Sequence, residues 1–149
     1  MILAGNLDPI AGRDRKLALD LYDKLSLNSD IGLLLILSSS LYSLCYDDLM
    51  AFQVRARRLI ETGEDKVIRK LIEAGYRGYL DRDPRDEFSL MVMAWKFGGS
   101  LSRSRLKGLI FQQKQLSEQN FHRTLSGIRK FSETEALGLL EYIAGREAH

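Results

Sequence analysis

The side chains best suited to molecular recognition lie together in the segment from Ser117 to Lys130. Gln and Asn side chains can pair bidentately with adenine edges in a DNA major groove, and Arg can pair in the same way with guanine. A short stretch that carries all three residue types therefore has the chemistry of a surface that contacts bases. The predicted base contacts are Gln119, Asn120, His122 and Arg123.

Positive charge accumulates around the same segment. Between Ser102 and Lys130 seven basic residues accompany one acid, a net charge of +6 in a chain whose overall charge is +2. This local excess is expected of a phosphate-binding surface, although an ordinary solvated face has the same composition. A second basic region, from Arg55 to Lys70, is diluted by acids. The predicted phosphate contacts are Arg103, Arg105, Lys114, Arg129 and Lys130.

Other kinds of site lack the residue spacing that they require. The acidic run at 81–87 has an arginine at the fifth position and no glycine at the sixth, unlike a calcium loop. Gly98 and Gly99 do not belong to a Walker loop, and we interpret them as the end of a helix. The only cysteine, Cys45, lies in an apolar stretch, and the two histidines are far apart in the sequence. We therefore expect no catalytic residue, no metal site and no cofactor, so the protein is not predicted to be an enzyme.

The elements that must position these residues are predicted to be helices. The chain has 149 residues, 45% of them hydrophobic and 28% charged, which is typical of one globular domain. Leucine greatly outnumbers valine and threonine, and this favours helix over strand. The predicted fold is all-α, a compact bundle of about seven to eight helices. Residues 1–149 form one domain in this interpretation, and the alternative is a subdivision into 1–82 and 83–149.

Caps, glycines and apolar spacing place the individual helices. The uncharged run from Ile31 to Tyr46 is too short to span a bilayer, and we predict a buried central helix there. With no secretory signal at the N-terminus, a cytoplasmic location without a membrane partner is expected. The other helices are predicted at 14–25, from Asp47 or Asp48 to Gly63, from Glu64 or Asp65 to a loosened end at Gly75 and Gly78, from Pro84 to Phe97, from Ser102, from Ser117, and from Ser132 to Gly145.

Residues 117–145 resemble the second half of a phage-repressor-type helix-turn-helix domain, the lambda-repressor-like family. In that family a recognition helix ends in an apolar residue, a polar residue and glycine, followed by a short basic link and another amphipathic helix. Leu125-Ser126-Gly127, then Ile128-Arg129-Lys130, then the helix from Ser132 follow this order. Upstream the sequence differs, because Phe111 stands near the position of an expected small residue. The resemblance implies that the helix from Ser117 to Gly127 contacts DNA and that 83–149 is helix-turn-helix-like.

Two functions therefore remain open. The first is a DNA-binding transcription regulator, with a homodimer through the apolar helix 31–46 presenting two recognition helices to successive major grooves. The second is a helical module that binds a protein partner, as immunity proteins, antitoxins, chaperones and adaptors do. Orientation of the helix after Ser117 discriminates between them, since base contacts require its polar side chains to be exposed.

Overall fold

The computed structural model describes residues 15–82, 90–116, 118–130 and 137–142, without the side chains of Asp81, Gln113, Lys114, Leu116 and Asn120. All regular secondary structure in these residues is helical, which confirms the predicted all-α multi-helix bundle. The helices are α1 (Arg15–Ser26), α2 (Ile31–Leu44), α3 (Leu49–Glu61), α4 (Asp65–Leu71), a π-helix (Ile72–Tyr76), α5 (Arg77–Arg82), α6 (Leu90–Phe97), α7 (Ser100–Leu116) and α8 (Glu118–Arg129). Residues 137–142 are helical as well, within the helix predicted from Ser132 to Gly145.

Local capping chemistry sets the starts of α2 and α3. The Asp30 carboxylate accepts a hydrogen bond from the Leu33 amide at 2.9 Å, and the Asp48 carboxylate accepts one from Ala51 at 3.1 Å. Each bond satisfies an amide that the first helical turn leaves without a backbone partner. After α3 the chain turns at Gly63, whose φ of 71° lies in the left-handed region that favours glycine.

Helix α2 is the centre of the bundle, where it contacts α1, α3, α4 and the π-helix. Leu37, Leu41 and Leu44 on α2 are fully buried, and the Leu37 carbonyl accepts a hydrogen bond of 3.0 Å from the Tyr22 hydroxyl. The predicted buried central helix is therefore confirmed. Because the core takes up most of its leucines, α2 retains little apolar surface for the predicted homodimer.

The long helix that follows Gly63 differs from the prediction at its C-terminal end. Gly75 and Gly78 do not end it; the helix passes through a π-helical turn and continues to Arg82. A Cβ atom on Gly78 would lie 2.9 Å from Tyr42 Cζ, and one on Gly75 would overlap Tyr42 Cβ. The two glycines therefore provide space for the Tyr42 ring against the helix backbone.

The C-terminal helices pack on the same hydrophobic core. Helix α6 contacts α3 and α7, α7 contacts α4, and α8 contacts α7. One cluster of buried residues extends from Ala18 in α1 to Leu139 in the last helical segment. The predicted start of α6 at Pro84 and the cap of the last helix at Ser132 lie outside the described residues. No helix in the described part of the chain combines the length and apolarity needed to cross a membrane.

Candidate nucleic-acid interface

Helix α8 is amphipathic, and its apolar face attaches it to the bundle. Phe121, Leu125 and Ile128 recur at helical spacing and are all buried. Thr124 and Gly127 lie on the same covered side. These three apolar residues anchor the helix in the core. Because α7 supports α8 along that face, the opposite face of α8 is held in a defined orientation.

The polar face of α8 points to solvent. Gln119, His122 and Arg123 are exposed, while the side chain of Asn120 lies outside the described residues. Ser126 stands one turn beyond His122, and its hydroxyl donates to the His122 carbonyl at 3.0 Å. Three of the four predicted base contacts therefore lie on one exposed helical face.

The end of α8 differs from the prediction made from the family resemblance. The helix does not stop at Gly127 but continues to Arg129, and the Lys130 amide then donates to the Gly127 carbonyl at 3.2 Å. Continuing the helix buries Ile128 on the apolar face, which favours helix over a separate link. Arg129 and Lys130 are exposed at the C-terminal end of α8, where cations also interact favourably with the helix dipole.

The basic residues of α7 face different partners. Arg103 donates to the Trp95 carbonyl at 2.9 Å, and its guanidinium lies 5.2 Å from the centre of the Trp95 indole. Lys107 lies over the rings of Trp95 and Tyr142. Arg105 is on the other flank of α7, where it pairs with Glu73 at 2.9 Å. The predicted phosphate contacts on α7 are therefore not gathered on one surface, and the Lys114 side chain lies outside the described residues.

In the second basic region, from Arg55 to Lys70, arginines pair with nearby acids. Arg55 forms a two-pronged contact with the Asp23 carboxylate at 3.0 and 2.9 Å, and Arg58 contacts the same carboxylate. Arg69 pairs with Glu73, the acid that also pairs with Arg105. Arg69 from the second basic region and Arg105 from the first therefore share the Glu73 carboxylate.

Asp65 occupies the anion-binding position at the start of α7. Its carboxylate accepts hydrogen bonds from the backbone amides of Gly99, Leu101 and Ser102 at 2.8, 3.0 and 2.9 Å, and from the Ser102 hydroxyl. Burial alone would raise the pKa of Asp65, but these hydrogen bonds outweigh it and lower the pKa. A Cβ on Gly99 would lie 2.8 Å from Asp65 Oδ2, so a glycine is needed for the close approach.

Asp65 thus explains why the glycines at 98–99 are a helix boundary, as predicted, and not an open phosphate site. The sequence interpretation missed this role, because Asp65 is also a first-turn acid of its own helix, α4. No local pattern connects it to residues 34 to 37 positions later.

The Cys45 thiol and the Tyr76 and Tyr79 side chains are buried in the core. Cys45 is fully buried, and burial raises the pKa of its thiol to about 11. Tyr76 and Tyr79 stack in the core with ring centres 5.5 Å apart. Within the described ranges no three His, Cys, Asp or Glu side chains converge in a way that could hold a metal ion. Most of the acidic run at 81–87 lies outside those ranges.

Comparison with known proteins gives no relative from which a role could be transferred. The chain matches no protein-family model and has no significant similarity to a curated protein or to a solved structure.

Proposed function

We propose that the protein is a DNA-binding regulator that contacts the major groove with the outer face of α8. The observation that carries the proposal is the exposed stripe of Gln119, His122 and Arg123 on a helix whose opposite face is anchored in the bundle. These are side chains with hydrogen-bonding geometry suited to base edges. Arg103 donates to a backbone carbonyl and Arg105 pairs with a carboxylate, whereas no hydrogen bond or ion pair joins the Arg123 guanidinium to another group in the described part of the chain.

The dimensions of α8 suit this mode of binding. Twelve residues form a helix of about 18 Å, and the major groove, about 12 Å wide, admits one α-helix. With α8 in the groove, Gln119 would pair with adenine and Arg123 with guanine. Arg129 and Lys130, at the end of the helix, would contact phosphates and set the register.

The charge distribution makes a quantitative prediction about salt. Because α7 directs Arg103 and Arg105 towards groups of the protein, we assign the phosphate contacts to Arg129 and Lys130, with Arg123 on a base edge. Two neutralised phosphates correspond to a slope of about −2 for the logarithm of the binding constant against the logarithm of salt concentration. A slope near −6 would mean that the α7 cations leave their protein partners when DNA binds.

The experiment is selection from a randomised DNA duplex pool, followed by anisotropy titrations of the selected and a scrambled duplex. Arg123→Ala is expected to weaken binding to the selected duplex about 10-fold or more and to reduce its preference over the scrambled one. Arg129→Ala should weaken both duplexes alike and make the salt slope less steep by about 1. Lys24→Ala, which removes the same charge from α1, is the matched control and should change neither quantity.

Two outcomes would contradict the proposal. One is an absence of duplex binding even at low ionic strength. The other is an equal loss of duplex affinity for Lys24→Ala and Arg123→Ala, since this would mean that binding depends on the net charge of the protein and not on the α8 surface.

A second candidate function is protein binding by a non-catalytic helical module. Its specific support is an apolar strip on α3, where Met50 and Val54 lie one turn apart and are 56% and 42% exposed. Tyr46, in the turn that precedes α3, is exposed too, with Arg82 against its ring. If Met50→Lys together with Val54→Lys abolishes biological activity while duplex binding is unchanged, protein binding is the better assignment.

A further inference from the structure

A groove separates the π-helix from α7 on the flank opposite Trp95. It has a volume of about 370 Å³, within the range of roughly 300–1,000 Å³ that is usual for small-molecule sites. Ile72 and Leu109, both buried, form its apolar floor. Arg77 stands on one wall and Arg105 on the other.

The polar lining of the groove favours an anion. Arg77 and Arg105 provide two guanidinium groups, and Ser104 and Gln112 add neutral hydrogen-bonding groups on the α7 side. Guanidinium groups match the oxygens of phosphate with paired, charge-assisted hydrogen bonds. Glu73 is the only acid among the described lining residues, and it already pairs with Arg105 at 2.9 Å and with Arg69 at 3.2 Å.

A glycine in the middle of α7 keeps the groove open. Gly108 lies inside a helix of 17 residues, where glycine is less favourable than alanine. No heavy atom among the described residues lies within 4 Å of the position that its Cβ would occupy, so packing in this part of the chain does not require a glycine. Since Gly108 lines the groove, a side chain there would enter the space between Arg77 and Arg105.

We propose that this groove binds a small organic phosphate. The phosphate oxygens are held by Arg77 and Arg105, and the organic part lies over Gly108 against Leu109. Glu73 is the internal anion that the phosphate partly displaces from Arg105. The site is independent of DNA binding by α8: it is concave and small, and none of its lining residues belongs to α8.

The test is a titration of the full chain with phenyl phosphate, monitored by amide chemical shifts and by calorimetry. Saturable shifts are expected around residues 72–77 and 104–112. Arg77→Gln and Arg105→Gln should each weaken phenyl phosphate binding about 10-fold, the loss usual for one charge-assisted contact. Arg57→Gln, an exposed arginine on α3 with an acid partner of its own, is the matched control and should have no effect.

Two further variants separate binding from folding. Gly108→Leu should abolish binding of phenyl phosphate although it raises the melting temperature, by about 2–4 °C, because leucine is the better helix former. Glu73→Gln should strengthen binding several-fold, because it removes the competing carboxylate.

Several outcomes would overturn the proposal. They are an absence of saturation at millimolar phenyl phosphate, unchanged binding in Gly108→Leu, or shifts at the groove with duplex DNA but not with phenyl phosphate. Arg123→Ala distinguishes the two proposals, since it is expected to impair DNA binding and to leave phenyl phosphate binding unchanged.

Discussion

Replacement of Asp65 is the most direct test of how the two halves of the chain are joined. Its carboxylate is the acceptor for three amides and one hydroxyl at the start of α7, while its backbone belongs to α4. Loss of a helix cap costs about 0.5–2 kcal/mol, and a hydrogen bond to a charged group contributes about 1.5–3 kcal/mol. Because some of the released amides would form hydrogen bonds with water instead, we expect Asp65→Ala to lower the free energy of unfolding by about 2–3 kcal/mol.

Asp65→Asn isolates the contribution of charge. Asparagine retains an oxygen in the place of Oδ1, which accepts from Gly99 and Ser102, but it places an NH₂ group opposite the Leu101 amide. We expect a loss of about 1–1.5 kcal/mol, measured by urea unfolding with matched m-values. Asp30→Asn is the matched control, because that cap serves only its own helix and Asn caps as well as Asp; it should change stability by less than about 0.5 kcal/mol.

The same interaction predicts a dependence on pH. Hydrogen bonding holds the pKa of Asp65 below its usual value, in spite of burial, so the folded state favours the ionised carboxylate. This stabilisation is complete above the unfolded pKa of about 3.9 and is lost as the pH falls through the lower folded pKa. The difference in the free energy of unfolding between the natural chain and Asp65→Asn should therefore become smaller below about pH 4. Parallel stability curves from pH 7 to 3, or equal losses for the two Asn variants, would refute the reasoning.

Two further predictions concern the core. Cys45 is buried with a raised thiol pKa, so a disulfide reagent at pH 8 should modify the folded protein about 100-fold more slowly than the protein in denaturant; equal rates would contradict its burial. Gly78→Ala should cost about 1–3 kcal/mol in urea unfolding, because its methyl group meets the end of the Tyr42 ring. Tyr42→Leu should relieve the cost at Gly78 but not that of Gly75→Ala, which meets Tyr42 Cβ; a failure to rescue Gly78→Ala would place the strain elsewhere.

The sequence alone determined where the α2 and α3 helices begin and which face of α8 is buried. Caps such as Asp30 and Asp48 accept hydrogen bonds from amides three residues away, so they can be predicted from a short stretch of sequence. The stripe of Phe121, Leu125 and Ile128 follows the helical period, and this period alone is enough to indicate which face of α8 is buried. The exposed polar face of α8 follows from the same periodicity.

Tertiary structure alone decided which charges meet and which glycines matter. The sequence shows a net charge of +6 around α7 and α8, but it does not show that Arg103 lies on Trp95 or that Arg105 pairs with Glu73, 32 residues away. The sequence also predicted a loosened helix end at Gly75 and Gly78, and the family resemblance implied one at Gly127, whereas the helices continue to Arg82 and Arg129. The physical reason is that side-chain partners are set by the packing of helices distant in the chain, and local hydrophobic period carries no information about that packing.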